Sequence, residues 1–160
     1  MSERPATPEI FVTHLATVTA AIGGQALGPD LEDRLNSEFP AGSAWFERAA
    51  ELCRQGCEEG WLCAREAGGI KFGRAVPAGD ALGGMSIDVV EMDDVVGPHH
   101  SHPNGEIDLV MPIDAEAQFD GRGAGWKVYR PGSAHRPTVS GGKALVLYLL
   151  PDGAIEFTRS

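Results

Sequence analysis

The sequence predicts a mainly β protein, a single barrel or sandwich preceded by a three-helix segment. Apolar residues recur at helical spacing only over residues 1–60, and from Trp61 onward that period gives way to short β-rich runs set between glycines and prolines. A chain of 160 residues with 42% hydrophobic content can bury one core and is short for two domains of ordinary size.

Thr7-Pro8 offers an N-cap and a first-turn proline, after which Phe11, Leu15, Val18 and Ile22 form a stripe that Gly23-Gly24 ends. A second helix follows Gly28-Pro29, with Leu31, Leu35 and Phe39 on one face, and stops at Pro40. The third starts after Ser43, turns Phe46, Ala49, Ala50, Cys53 and Cys57 inward, and ends at Gly60. Beyond it lie the runs "GIKFGRAV", "GMSIDVVEM", "GEIDLVMP", "WKVYRP", "KALVLYLLP" and "AIEFT". Many short strands in so little chain indicate a barrel or sandwich. The adjacent acids of "EMDDVV" would point opposite ways on a strand, so a loop is expected there. The chain thus divides into a helical segment, 1–60, and a β-domain, 61–160, with the helices packed on the barrel or on a partner subunit.

With 23 acidic against 13 basic residues the net charge is −10, which disfavours nucleic acid and anionic membrane surfaces as partners. No apolar run reaches the roughly 18 residues of a spanning helix, and "MSERPATPEI" lacks a basic, apolar leader, so a cytoplasmic protein is expected. Cys53, Cys57 and Cys63 have no C-x-x-C spacing. They are expected to be small buried hydrophobes, although Cys53 and Cys57 share a helix face.

The chemistry concentrates in "GPHHSHPNGEIDLVMP", residues 97–112. His100 and His102 alternate on an extended segment and point the same way, while His99 points the other, toward a supporting or surface place. If Pro103-Asn104-Gly105 closes a hairpin, His102 lies opposite Glu106 and His100 opposite Asp108. Imidazoles and a carboxylate gathered on one face make a site for a divalent transition metal. His135, after the Pro131-Gly132 turn, is the candidate fourth ligand, whereas His14 lies beside the apolar stripe of the first helix.

The stretch "HSHPNGE" resembles the ligand core of the first cupin motif, G-x5-H-x-H-x3,4-E-x6-G, through His100, His102 and Glu106. "GWKVYRPGSAHRPTV" is similar to the second, G-x5-P-x-G-x2-H-x3-N, with Gly125, Pro131 and His135 in register. Asp94, Ile113 and Val139 depart from the pattern at turn positions, and "PG" stands for P-x-G. The resemblance covers about residues 61–160 and implies a single cupin (jelly-roll) barrel whose His100, His102, Glu106 and His135 bind a metal. The spacing does not choose among Fe, Mn, Ni and Zn.

Together with the helical first third, these motifs look similar to the 4-hydroxylaminobenzoate lyase-like small cupins. That resemblance implies conversion of 4-hydroxylaminobenzoate to 3,4-dihydroxybenzoate and ammonia in nitroaromatic breakdown. Such chemistry needs a proton donor at the departing oxygen and a base for water, for which Asp108 and Tyr129 are candidates. Arg136 or Arg130 would bind the benzoate carboxylate, and Trp126 could line an aromatic pocket. A metal-dependent dioxygenase of an aromatic or diketone substrate, or a cupin that only binds a small molecule, would use the same ligands. A homodimer is expected because three amphipathic helices present more apolar surface than one barrel flank readily covers.

Overall fold

Three helices form where the periodicity places them. The first, α1 (Pro8–Ile22), starts at Thr7, whose side-chain oxygen accepts from the Ile10 N–H at 3.2 Å; α2 (Pro29–Glu38) follows, and α3 (Ala44–Glu59) starts at Ser43 and ends on left-handed Gly60. The computed structural model describes residues 6–157. Residues 1–5, part of the stretch read above for a leader, lie outside the described residues. No helix among the described residues is long and apolar enough to cross a membrane.

The strands are β1 (Arg65–Ala67), β2 (Ile70–Val76), β3 (Met85–Val96), β4 (His100–His102), β5 (Glu106–Pro112), β6 (Gln118–Phe119), β7 (Gly125–Tyr129), β8 (Ser133–His135), β9 (Thr138–Pro151) and β10 (Glu156–Phe157). They build an antiparallel seven-stranded sheet, ordered β1-β2-β3-β9-β5-β7 with β6 on β9, and a three-stranded sheet, β10-β4-β8. The two sheets face each other as the walls of a barrel: the His100 ring of the small sheet lies 6.2 Å from the Tyr148 ring of the large one.

The large sheet has two buried faces. On β5, Ile107, Leu109 and Met111 join Leu145, Leu147 and Leu149 of β9 and the helix residues Phe11, Leu15, Leu31, Leu35 and Leu52 in one core. The alternate residue Val110 packs with Val90, Val146 and Tyr148 inside the barrel. The helices therefore cover the outer face, and the stripes expected to call for a partner subunit are occupied by the chain's own sheet. Helix α2 also closes the sheet edge. The Asn36 side chain accepts from the Trp126 N–H at 2.9 Å and donates to its carbonyl at 3.0 Å, and Glu32 accepts from the Val128 N–H at 2.9 Å. Side chains thus stand in for the missing neighbouring strand of β7.

Three expectations are corrected. Asp93 and Asp94 lie within β3 rather than in a loop: Asp94 takes φ +48° at a register shift against β9, so the bulge reorients the chain without ending the strand. Cys57 and Cys63 are joined by a disulfide, Cα–Cα 5.3 Å, leaving only Cys53 as a buried free thiol. Gly56 permits the return of the chain that brings them together, since a Cβ there would sit 2.5 Å from Leu62 Cδ1. Trp126 lines no barrel pocket. It is fully buried on the helix side, beside Trp45 at 5.7 Å between ring centroids, and its indole N–H donates to the Phe39 carbonyl at 2.9 Å.

Trp126→Phe removes that donor and leaves a carbonyl without its partner, so stability to urea should fall by about 1–3 kcal/mol while metal content is unchanged. Loss of metal in this variant would place Trp126 in the site after all.

Candidate metal centre and substrate pocket

Four side chains converge between the sheets. His100 and His102 come from one face of β4, as alternation requires, His135 from β8, and Glu106 from the first position of β5. The hairpin expectation needs correction here. β4 pairs with β8 and β10, His100 opposite His135, and not with β5. Pro103-Asn104-Gly105 therefore carries the chain from one sheet to the other, and Glu106 meets the histidines across the barrel. Gly105 has φ +86°, and a Cβ there would fall 2.7 Å from the Tyr129 carbonyl oxygen, so this crossing needs glycine.

Hydrogen bonds set the tautomers. The Ser133 hydroxyl donates to the Arg130 carbonyl, so its oxygen accepts from His102 Nδ1 at 3.0 Å. Asp120 accepts from His135 Nδ1 at 2.6 Å, from the Tyr129 hydroxyl, and from the Thr138 N–H at 2.9 Å. With their Nδ1 protons committed, His102 and His135 turn Nε2 lone pairs inward.

Those nitrogens meet around Glu106. His100 Nε2 is 3.2 Å from Glu106 Oε1 and 3.2 Å from His135 Nε2. His102 Nε2 is also 3.2 Å from Glu106 Oε1, yet it makes no hydrogen bond there, and Glu106 Oε2 is likewise buried without one. One ligand atom from each of the four residues lies within 4.8 Å of all the others. Bonds of roughly 2.0–2.2 Å to a central ion would hold such a set, so the residues fit a divalent metal.

Electrostatics point the same way. Burial alone would raise the Glu106 carboxyl, but the imidazoles of His100, His102 and His135 gathered around it outweigh burial and hold the group well below the usual carboxylate range. Burial opposes charge on His135, whereas Asp120 and Glu106 favour it and push the ring up to about 9. Metal thus competes with a proton for this imidazole. Asp108, two residues along the same inward face, goes the opposite way: burial first, then the charge of Glu106, raise it well above the usual range and keep it neutral.

Asp108 begins a polar row across the barrel floor. It pairs across the ladder with Tyr148 of β9, Tyr148 pairs with Asp88 of β3, and Asp88 with Arg74 of β2. Tyr148 and His100 line a cavity of about 600 Å³ whose walls also include Phe72, Val90 and Met92.

The structure brings His100, His102, Glu106 and His135 together, with Asp108 adjoining. Tyr129 stands elsewhere than expected. Its hydroxyl is committed to Asp120 and its ring packs 4.4 Å from that of His135, so it supports a ligand from behind. Arg130 and Arg136 are exposed and do not line the cavity; Arg130 lies beside Gly28 at the start of α2. His99 is half-buried outside the cluster, and His14 Nε2 donates to the Trp45 carbonyl at 2.9 Å. Asp120, Ser133 and Tyr148 were not singled out from the sequence. Asp120-Gly121 reads locally as a turn and Tyr148 as one more apolar strand residue, and only the tertiary fold gives them partners at the site.

Comparison with known proteins agrees with this geometry. A family model described as PnbB: 4-hydroxylaminobenzoate lyase matches residues 13–157. A 4-hydroxylaminobenzoate lyase of Nocardioides sp. is 34% identical, covering 94% of this chain and 95% of that protein. One from Pseudomonas putida is 30% identical, over 86% of this chain and 88% of its own. Among solved structures, an RmlC-like cupin protein from Ralstonia eutropha is similar at 10% identity and TM-score 0.45, covering 61% of this chain and 64% of that one.

Asp120→Asn should weaken metal binding by roughly 10- to 100-fold, because the hydrogen bond that orients His135 loses its charged acceptor. Competition with a chelator measures it. An affinity equal to the parent protein's would remove Asp120 from the supporting role.

Proposed function

We infer that this chain, which belongs to the 4-hydroxylaminobenzoate lyase family, is an enzyme that converts 4-hydroxylaminobenzoate to 3,4-dihydroxybenzoate and ammonia. The observation that carries the reading to this chain's own residues is the three-histidine, one-glutamate set, of which His100 lines a largely apolar cavity with room for a substituted benzene ring. The net reaction consumes one water and releases one ammonia. The nitrogen is reduced as the ring is oxidised, so no outside oxidant enters.

Nitrogen and carboxylate donors together suit Fe, Mn, Ni or Zn better than Mg or Ca. Such an ion, when bound, supplies Lewis acidity to an oxygen and lowers the pKa of a coordinated water. The protein's groups do the rest. Asp108, held neutral next to ionised Glu106, keeps a proton on its carboxyl for the oxygen leaving nitrogen, and its cross-strand neighbour Tyr148 lines the cavity. Tyr129 and Asp120 position His135 rather than touch the substrate. Apolar walls hold the ring edge toward the ligands and limit water to the molecules that react.

In this reading the protein takes a small aromatic substrate in the cytoplasm, without nucleic acid or membrane. The expected homodimer would have to use a surface other than the helix stripes, which the large sheet covers.

Metal-loaded protein should release ammonia and 3,4-dihydroxybenzoate from 4-hydroxylaminobenzoate without oxygen. Activity that stops anaerobically, with oxygen consumed in air, would instead mark a dioxygenase. His135→Ala should lose metal and activity together. Asp108→Asn should keep its metal, measured by elemental analysis, and turn over about 10²-fold more slowly; an unaltered rate would move the acid elsewhere.

A further inference from the structure

With Arg130 and Arg136 outside the cavity, the substrate's carboxylate needs another partner. Two arginines do line the cavity, Arg65 and Arg74. They differ in what they already hold. Arg74 is occupied: Nε donates to Asp88 Oδ1 at 2.8 Å, and Nη2 reaches Asp88 Oδ2 at 3.4 Å and the Gly153 carbonyl at 3.2 Å. The side chain of Arg65, exposed at the cavity's rim, has no hydrogen bond or ion pair among the described residues. It lies on the edge strand β1, opposite Phe72, whose ring also walls the cavity. The hairpin's acid, Glu66, stands across the ladder from Lys71, and Lys71 also faces Glu91 of β3; none of the three lines the cavity.

The charge balance of the cavity therefore runs against that of the chain. The protein carries −10 overall, yet the Arg74–Asp88 pair cancels and leaves one uncompensated guanidinium at a wall otherwise built largely of apolar side chains. We propose that Arg65 is the specificity-determining anchor that binds the carboxylate of a 4-substituted benzoate, while the substituent at the far end of the ring approaches His100 and the metal centre. The inference rests on the lyase reading for its substrate class, but it concerns recognition of the anion and not the reaction. A planar fork of N–H donors matches a carboxylate in two parallel bonds, which an ammonium cannot reproduce.

Binding of unreactive probes separates this proposal from the activity. In titration calorimetry on metal-loaded protein, 4-aminobenzoate should bind better than 4-aminobenzamide, its neutral isostere. Arg65→Met should weaken 4-aminobenzoate by about 10-fold or more and leave 4-aminobenzamide unchanged, erasing the preference; Arg65→Lys should recover only part of it. Arg130→Met, outside the cavity, should behave as the parent protein. If the parent shows no preference for the acid, or Arg65→Met retains it, the anchor is elsewhere and the proposal fails. A parent that prefers the acid but does not turn over 4-hydroxylaminobenzoate would overturn the lyase reading and leave Arg65 as the anion site.

Discussion

The constraint on which the structure depends is the burial of Glu106. A carboxylate with no exposed surface costs several kcal/mol unless opposite charge or hydrogen bonds compensate it. The larger part of that compensation comes from His100, His102 and His135 on the opposing sheet, with Asp108 of its own strand adding to it. The two sheets are thus tied at the point where a metal would sit, and the small sheet cannot shift without exposing an unpaired charge. Ser133 and Asp120 extend the tie outward, each by way of a histidine's other nitrogen. An ion among the four ligands replaces marginal contacts between lone pairs with bonds, so metal binding and barrel closure are one event in energetic terms.

The same strand explains why the helices lie where they do. Glu106, Asp108 and Val110 face into the barrel, and Ile107, Leu109 and Met111 face out. A one-residue slip of β5 would bury two carboxylates under α1 and α3 and put leucine and isoleucine among the histidines. Register is therefore enforced from both sides, by the helix core on one and the imidazoles on the other. Helix α2 adds a third constraint by supplying, through Asn36 and Glu32, the hydrogen bonds that β7 lacks at the sheet edge.

What could be read from the sequence was local. Helix bounds rest on caps and a 3.6-residue period, and Thr7, Ser43 and Gly60 mark them in the chain itself. The ligand set was legible because alternation alone puts His100 and His102 on one side. Pairing of β4 was not, since Pro103-Asn104-Gly105 closes a hairpin and a crossing between sheets with the same residues. The error left the ligands right and the geometry wrong: Glu106 comes from the opposite wall. Trp126 and the arginines failed for a related reason. Adjacency to a ligand in sequence, as with Arg136 beside His135, places a strand residue on the other face, whereas Arg65 is 35 positions before His100 and shares its cavity.

The cavity is bordered both by a metal ligand, His100, and by a guanidinium, Arg65. If Arg65 holds the ring carboxylate, as proposed, the hydroxylamino group at the other end of the ring is the one free to face the ligands. As the N–O bond breaks, electron deficiency develops on nitrogen and the ring. Glu106, buried and ionised, is the group of the centre whose charge opposes that deficiency. Keeping Asp108 neutral serves the same end. A second full negative charge there would be costly next to Glu106, and the proton that relieves the cost is the one the leaving oxygen needs.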